Sequence, residues 1–137
     1  MFTEILRDRI SRIRERECIV FKDETYTYGD ILLSWQKWNL EIKNRKIESR
    51  SIVMVRGDFN VDSIGLMLAL IENNSIFVPV SLVVKDISNW QEIAEVTHYF
   101  DLEDDEFQRI EIQVKNSLTR ELFDLKNPGI ILFSSGT

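Results

Sequence analysis

The chain has 137 residues, enough for one domain with a real core and too few for a second of comparable size. Hydrophobic residues make up 44% and charged ones 29%, which excludes a disordered tail, and no run approaches the roughly 18 apolar residues of a membrane span. Basic residues number 17 against 23 acidic ones, a net charge of -6, so no basic surface for nucleic acid is expected.

Cys18 is the only cysteine and His98 the only histidine. An intramolecular disulfide and a cysteine-based zinc site are therefore excluded. A Ser-His-Asp triad would have to use His98, and no Gly-x-Ser-x-Gly elbow accompanies it. The N-terminal stretch mixes acids and bases with no apolar core of a secretory leader, so a cytoplasmic protein is expected.

In chain order, Phe2, Ile5, Leu6, Ile10 and Ile13 recur at helical spacing and predict a short amphipathic helix over 2–15, with Thr3 as its cap. Cys18 opens a segment that reads as two short strands, Ile19–Phe21 and Thr25–Tyr28, around a polar turn at 22–24. Cys18 itself is expected to be a small buried hydrophobe. After Gly29, Asp30 opens a helix in which Ile31, Trp35, Trp38 and Ile42 share one face, which makes both tryptophans core residues. Ser51–Arg56 is an apolar run closed by Gly57, a buried strand. A helix follows with Val61, Ile64, Met67, Leu68 and Ile71 inward, ended by Asn73 and Asn74, and then a second apolar strand, Ile76–Val80.

That strand–helix–strand unit favours a parallel sheet. Residues 86–100 read as a helix capped by Ser88 or Asn89, with Ile93, Val96 and Phe100 inward and His98 at or near the surface. The acidic residues Glu103, Asp104, Asp105 and Glu106 lack the spaced pattern of a calcium loop and read as a solvated loop. Residues 107–114 nearly alternate and predict a strand. Asn127-Pro128-Gly129 makes a turn before a last buried strand over 129–133, which runs into Ser134-Ser135-Gly136-Thr137. The fold class expected is α/β: a partly parallel sheet with βαβ units flanked by helices.

The last four residues place hydroxyls and freed backbone N–H groups at the carboxyl end of a strand, where open α/β sheets bind ligands. Glycine lets the backbone approach a phosphate oxygen, and hydroxyls add donors. Taken alone, four such residues also fit an ordinary Ser/Gly turn.

Three stretches in order resemble the N-terminal motifs of the adenylate-forming (AMP-binding) superfamily, which holds acyl-CoA synthetases, peptide-synthetase adenylation domains and luciferases. Residues 25–32, TYTYGDIL, are similar to its Thr-Tyr-x-(Glu/Asp)-Leu segment. Residues 68–80, LALIENNSIFVPV, are similar to its Leu-Ala-x-x-x-Ala-Gly-Ala segment, with Asn73-Asn74-Ser75 in place of the small residues. Residues 131–137, ILFSSGT, match the start of the phosphate loop that continues Thr/Ser-Gly-x-Pro-Lys. Residues 81–126 lack the common Pro-rich continuation and are shorter than in many members.

The resemblance implies the N-terminal portion of the large domain of such an enzyme, with residues 1–137 a single truncated domain. The parent would be an ATP-dependent acid–thiol ligase that activates a small carboxylate as an acyl-adenylate with release of pyrophosphate. Implied cofactors are ATP and Mg2+, with CoA or a phosphopantetheine arm accepting the acyl group. By resemblance, Ser134, Ser135, Gly136 and Thr137 would hold ATP phosphates. No catalytic or metal-binding residue is implied within the stretch, which alone is expected to be inactive and without measurable ATP affinity. Strands left without their usual neighbours predict self-association through an edge. The alternative is a non-catalytic α/β binding or interaction module that merely ends in a Ser-rich turn.

Overall fold

The computed structural model of the chain describes residues 2–134. Helix α1 (Phe2–Arg12) leads into an antiparallel ribbon of β1 (Glu17–Phe21) and β2 (Glu24–Thr27). Lys22 and Asp23 join them with φ of 50° and 64°, the double left-handed turn whose twist suits a two-residue hairpin. The ribbon stands apart from the main sheet, and Cys18 on it is exposed rather than buried, because little packs over that part of β1.

Helix α2 (Tyr28–Asn44) starts directly from β2. Thr27 caps it: its hydroxyl accepts from the Asp30 N–H at 3.2 Å, and the Asp30 carboxylate accepts from the Thr27 N–H at 2.8 Å. Ile31, Trp35, Trp38 and Ile42 are all buried, as their spacing predicts. Strand β3 (Ile52–Arg56), helix α3 (Val61–Glu72) and strand β4 (Ile76–Val80) form the expected unit, with β3 and β4 parallel from Ile52–Ile76 to Arg56–Val80. Asn73 caps the end of α3, and Asn74 adopts φ 57°, a left-handed position that asparagine tolerates.

The inward face of α3 differs from the expected one. Leu68 is buried as expected, but Val61, Ile64, Met67 and Ile71 are only half-buried, while Leu66, Ala69 and Leu70 are almost wholly enclosed. The helix packs against both α2 and the sheet, so it has two buried faces where periodicity shows one.

The expected helix over 86–100 ends early. Helix α4 (Ile87–Ile93), capped by Asp86 rather than Ser88 or Asn89, stops where Glu95 turns left-handed at φ 56°. Residues His98–Asp101 form β5, a fully buried strand parallel to β3. His98 is thus buried in a strand, with its Nδ1 2.8 Å from the Thr97 hydroxyl and Nε2 3.3 Å from Arg109. Burial, and then the Arg109 charge, lower its pKa against the opposing pull of Glu48.

Strand β6 (Glu106–Arg109) turns back antiparallel on β5 and is shorter than the 107–114 expected. A helix that the sequence reading left unassigned, α5 (Ser117–Asp124), follows, with the Asn116 side chain accepting from the Leu118 and Thr119 N–H groups. The last strand, β7 (Gly129–Ile130), lies parallel to β4 and completes the order β6-β5-β3-β4-β7.

The strands alternate across two cores. Val53, Val55, Phe77 and Phe100 face α1, α2 and α3 with Trp35, Trp38 and Leu66, while Ile52, Met54, Ile76, Val78 and Tyr99 face the other side with Ala94 and Phe123. The result is a mixed, mostly parallel sheet between two helical layers.

Candidate functional site

All four parallel strands end on one side of the sheet, the rim where α/β folds bind ligands. At the centre of that rim, β3 ends in Arg56 and β5 in Asp101. Their side chains pair at 2.9 Å, and a second Arg56 nitrogen donates to the Leu82 carbonyl at 3.1 Å, in the loop after β4. Asp101 is buried and also accepts from the Tyr99 hydroxyl at 3.1 Å and from the N–H groups of Glu103 and Asp104 at 3.0 Å each. The Gly57 N–H donates to Val80 and the Leu102 N–H to Arg56, locking the same loops by their backbones.

The electrostatics follow from this network. Burial works against the Asp101 carboxylate, but the Asp104 N–H, the Tyr99 hydroxyl and Arg56 outweigh it and hold its pKa below the ordinary value. Burial first, and then the bond to Asp101, push the Tyr99 phenol up to about 12, so it stays a donor. Among the described residues no buried side-chain nitrogen or oxygen lacks a partner. The central part of the rim is therefore tied shut by its own side chains and offers no unpaired polar group to a ligand.

The β7 side of the rim is different. Because β7 runs parallel to β4, the chain after it leaves toward the carboxyl side. The Ile131 N–H still donates to Phe77 at 3.0 Å, but there the ladder stops. The next donor in register on β4 would be the N–H of residue 79, and Pro79 has none. The buried strand expected over 129–133 is for that reason only two residues long, and it lies on an edge, with Ile130 and Leu132 exposed. Phe133 is nevertheless held, its ring stacked on Trp90 of α4 with centroids 4.2 Å apart.

Ser134 follows Phe133 and is exposed, at the mouth of a groove shared with Ile93, Leu118 and Leu132. Ser135, Gly136 and Thr137 lie outside the described residues. Among the described residues no group of three or more His, Cys, Asp or Glu side chains is placed to hold a metal ion. The acidic run has one buried neighbour, Asp101, whose carboxylate is consumed by its partners, while Glu103, Asp104, Asp105 and Glu106 are exposed. Nothing local in the sequence marks Arg56, Tyr99 and Asp101 as partners: Arg56 and Asp101 stand out only as a charge at the end of an apolar run, Tyr99 not at all, and the Arg56–Asp101 pairing joins residues far apart in the chain.

No protein-family profile and no curated protein matches the sequence. Solved structures do match its fold. An artificially fused adenylation–PCP di-domain NRPS from Klebsiella oxytoca, NpsA-ThdA, superposes with a TM-score of 0.72 at 16% identity, covering 98% of this chain and 28% of that one. The N-terminal subdomain of NpsA is also known in complex with 3-hydroxyanthranilyl-AMSN. VinN in complex with L-aspartate gives 0.65 at 10% identity, over 94% of this chain and 34% of the other. The luciferase-like enzyme from the nonluminescent Zophobas morio mealworm gives 0.63 at 15% identity, over 99% and 32%. This chain spans about a third of the length of these structures. The chain thus shares the fold of part of each of these larger structures, and in NpsA that part lies within the N-terminal subdomain.

Proposed function

We propose that the chain is the N-terminal part of an adenylate-forming ligase, and that residues 134–137 open its phosphate-binding loop. The observation that carries this reading is the exit of β7: a strand parallel to β4 delivers Phe133 and Ser134 to the carboxyl side of the sheet. The fold shared with adenylation enzymes supports it. The donor set suits the ligand, since hydroxyls and a glycine backbone match the oxygens of a polyphosphate.

In the reaction proposed for the parent enzyme, a carboxylate oxygen attacks the α-phosphorus of ATP. The bond to pyrophosphate breaks, and an acyl-adenylate forms. A thiol of CoA or of a phosphopantetheine arm then attacks the acyl carbon, and AMP leaves. Ser134, Ser135, Gly136 and Thr137 would hold the departing phosphates by hydrogen bonds aimed at charge that grows in the transition state. Magnesium, when bound, would neutralise part of that charge, and no described residue is assigned to it. A small carboxylate as substrate accords with the L-aspartate held by VinN, and a carrier-bound thiol with the PCP domain fused to NpsA. The setting proposed is cytoplasmic; no described helix is long and apolar enough to cross a membrane.

The test is the reading frame beyond codon 137 and the protein it encodes. We expect Thr/Ser-Gly-x-Pro-Lys next, and carboxylate-dependent exchange of labelled pyrophosphate into ATP by the full product. Ser134→Ala in that product should slow exchange about a hundredfold. The 137-residue chain alone should neither exchange nor bind ATP in calorimetry. A stop codon after Thr137 would favour the non-catalytic interaction module, and micromolar ATP binding by the short chain would refute its inactivity.

A further inference from the structure

Between the end of β7 and Ser134 the chain is held by side chains. The Ile131 N–H makes the last bond to β4, and among the described residues no backbone–backbone hydrogen bond reaches Leu132, Phe133 or Ser134. Leu132 is 74% exposed, whereas Ile131 and Phe133 pack on the second core. Phe133 is thus the last apolar anchor before Ser134.

The partner of that anchor sits on α4, in the crossover from β4 to β5. Ile87, Trp90 and the capping Ala94, at i, i+3 and i+7, pack on the second core, while Ile93, which the spacing also put inward, is exposed. The Trp90 and Phe133 rings lie within 16° of parallel. Trp35 and Trp38 donate their indole N–H groups to Glu72 and Asp62. Trp90 meets its neighbour with the face of its ring instead.

We infer that Trp90 is a positioning residue for the candidate phosphate loop: by stacking on Phe133 it fixes the point from which Ser134 leaves the carboxyl side of the sheet. This role rests on the reading of residues 134–137 proposed above. It needs no contact between Trp90 and ATP. With the ladder ended at Ile131, the free dihedrals that follow would let the Ser134 hydroxyl wander, and a donor favours a transition state only when it is held in place beforehand. A flat ring on a flat ring sets the orientation of Phe133 as well as its depth, which an aliphatic side chain does not.

Two measurements test it. In the 137-residue chain, nitrogen relaxation should give the Phe133 amide an order parameter near the rigid value of about 0.85, falling below about 0.6 in Trp90→Ala. Trp90→Phe should keep it high, and the amides of β3 and β4 should not change in either variant. In the full product, Trp90→Ala should raise KM for pyrophosphate in the exchange reaction about tenfold, less than the roughly hundredfold that displacing binding groups by about 1 Å can cost. KM for the carboxylate should stay the same, and Trp90→Phe should restore the parent value. Phe133→Leu, which removes the stack from the other side, should give the same split. A fall in kcat with both KM values unchanged would mark Trp90 as structural only and overturn the inference, as would a Phe133 amide equally mobile in the parent chain and Trp90→Ala. If Ser134→Ala slows exchange and Trp90→Ala does not, the inference fails and the reading of the loop stands. If the full product exchanges nothing, the reading of the loop fails and the positioning role falls with it.

Discussion

Gly65 on α3 faces Ser34 on α2 so closely that a Cβ there would stand 1.9 Å from the serine hydroxyl, 2.6 Å from its Cβ and 2.7 Å from its carbonyl carbon. The hydroxyl is a flexible end, already engaged with the Val61 carbonyl at 2.9 Å, but the carbonyl carbon is backbone and cannot step aside. Gly65→Ala must push the helices apart. Helix propensity alone would favour alanine by up to about 1 kcal/mol, and overpacking typically costs about 1–3 kcal/mol, so the net sign is destabilising. A urea titration should show a lower midpoint for Gly65→Ala; an unchanged or higher midpoint refutes the close approach. Trp35 and Trp38 announced themselves as core by their spacing. Gly65 did not, because the reason for it is a serine on another helix.

The elements show where periodicity carries an argument and where it fails. α2 spans 17 residues and repeats its buried face through four positions, so its pattern could not be mistaken. β5 and β6 have four residues each, too few to establish a period of two against one of 3.6. Val96 and Phe100 sit four apart and mimicked a helix face, although the left-handed Glu95 separates them from α4. α5 went unread for a similar reason, its capping Asn116 lying just past an alternating run. The candidate loop was legible only as a motif, while the Arg56–Asp101 closure of the rim was not legible at all. The length of β7 was within reach of the sequence, since it depends on one proline one position before the end of β4. Pro79→Val supplies the missing N–H opposite the Ile131 carbonyl and should let the ladder run on to Phe133. Hydrogen exchange would then show the Phe133 amide slowed relative to the parent chain; equal rates would mean that something other than the proline ends the strand.

For the molecule as a whole, acid is the expected weakness, and three groups in different layers set it. Glu72 joins the helices: its Oε2 accepts from Arg7 at 2.5 Å, from the Trp35 indole at 2.8 Å and from Asn39 at 2.9 Å. Burial opposes its charge, but the bonds from Arg7 and Asn39, the Arg7 charge and the indole outweigh it, leaving the carboxyl below its ordinary value. Asp101 is lowered in the same way at the rim, and His98 is lowered by burial and Arg109. Each group binds its proton more readily in the unfolded chain than in the folded one. Stability therefore rises with pH through each window, is complete above the unfolded values, and is lost as pH falls toward the folded ones. His98 acts first, below about pH 6.5, and the carboxylates follow below about pH 4.3 and 3.9. Urea midpoints should accordingly be level above neutrality, sag gently in mild acid and fall steeply once the carboxylates titrate. His98→Gln should remove the gentle sag alone, and Glu72→Gln should flatten part of the steep limb while lowering the neutral plateau. A midpoint that held constant from neutrality to pH 4 would show that the imidazole is not kept neutral by its place in β5, and a steep limb untouched by Glu72→Gln would remove that carboxylate from the balance.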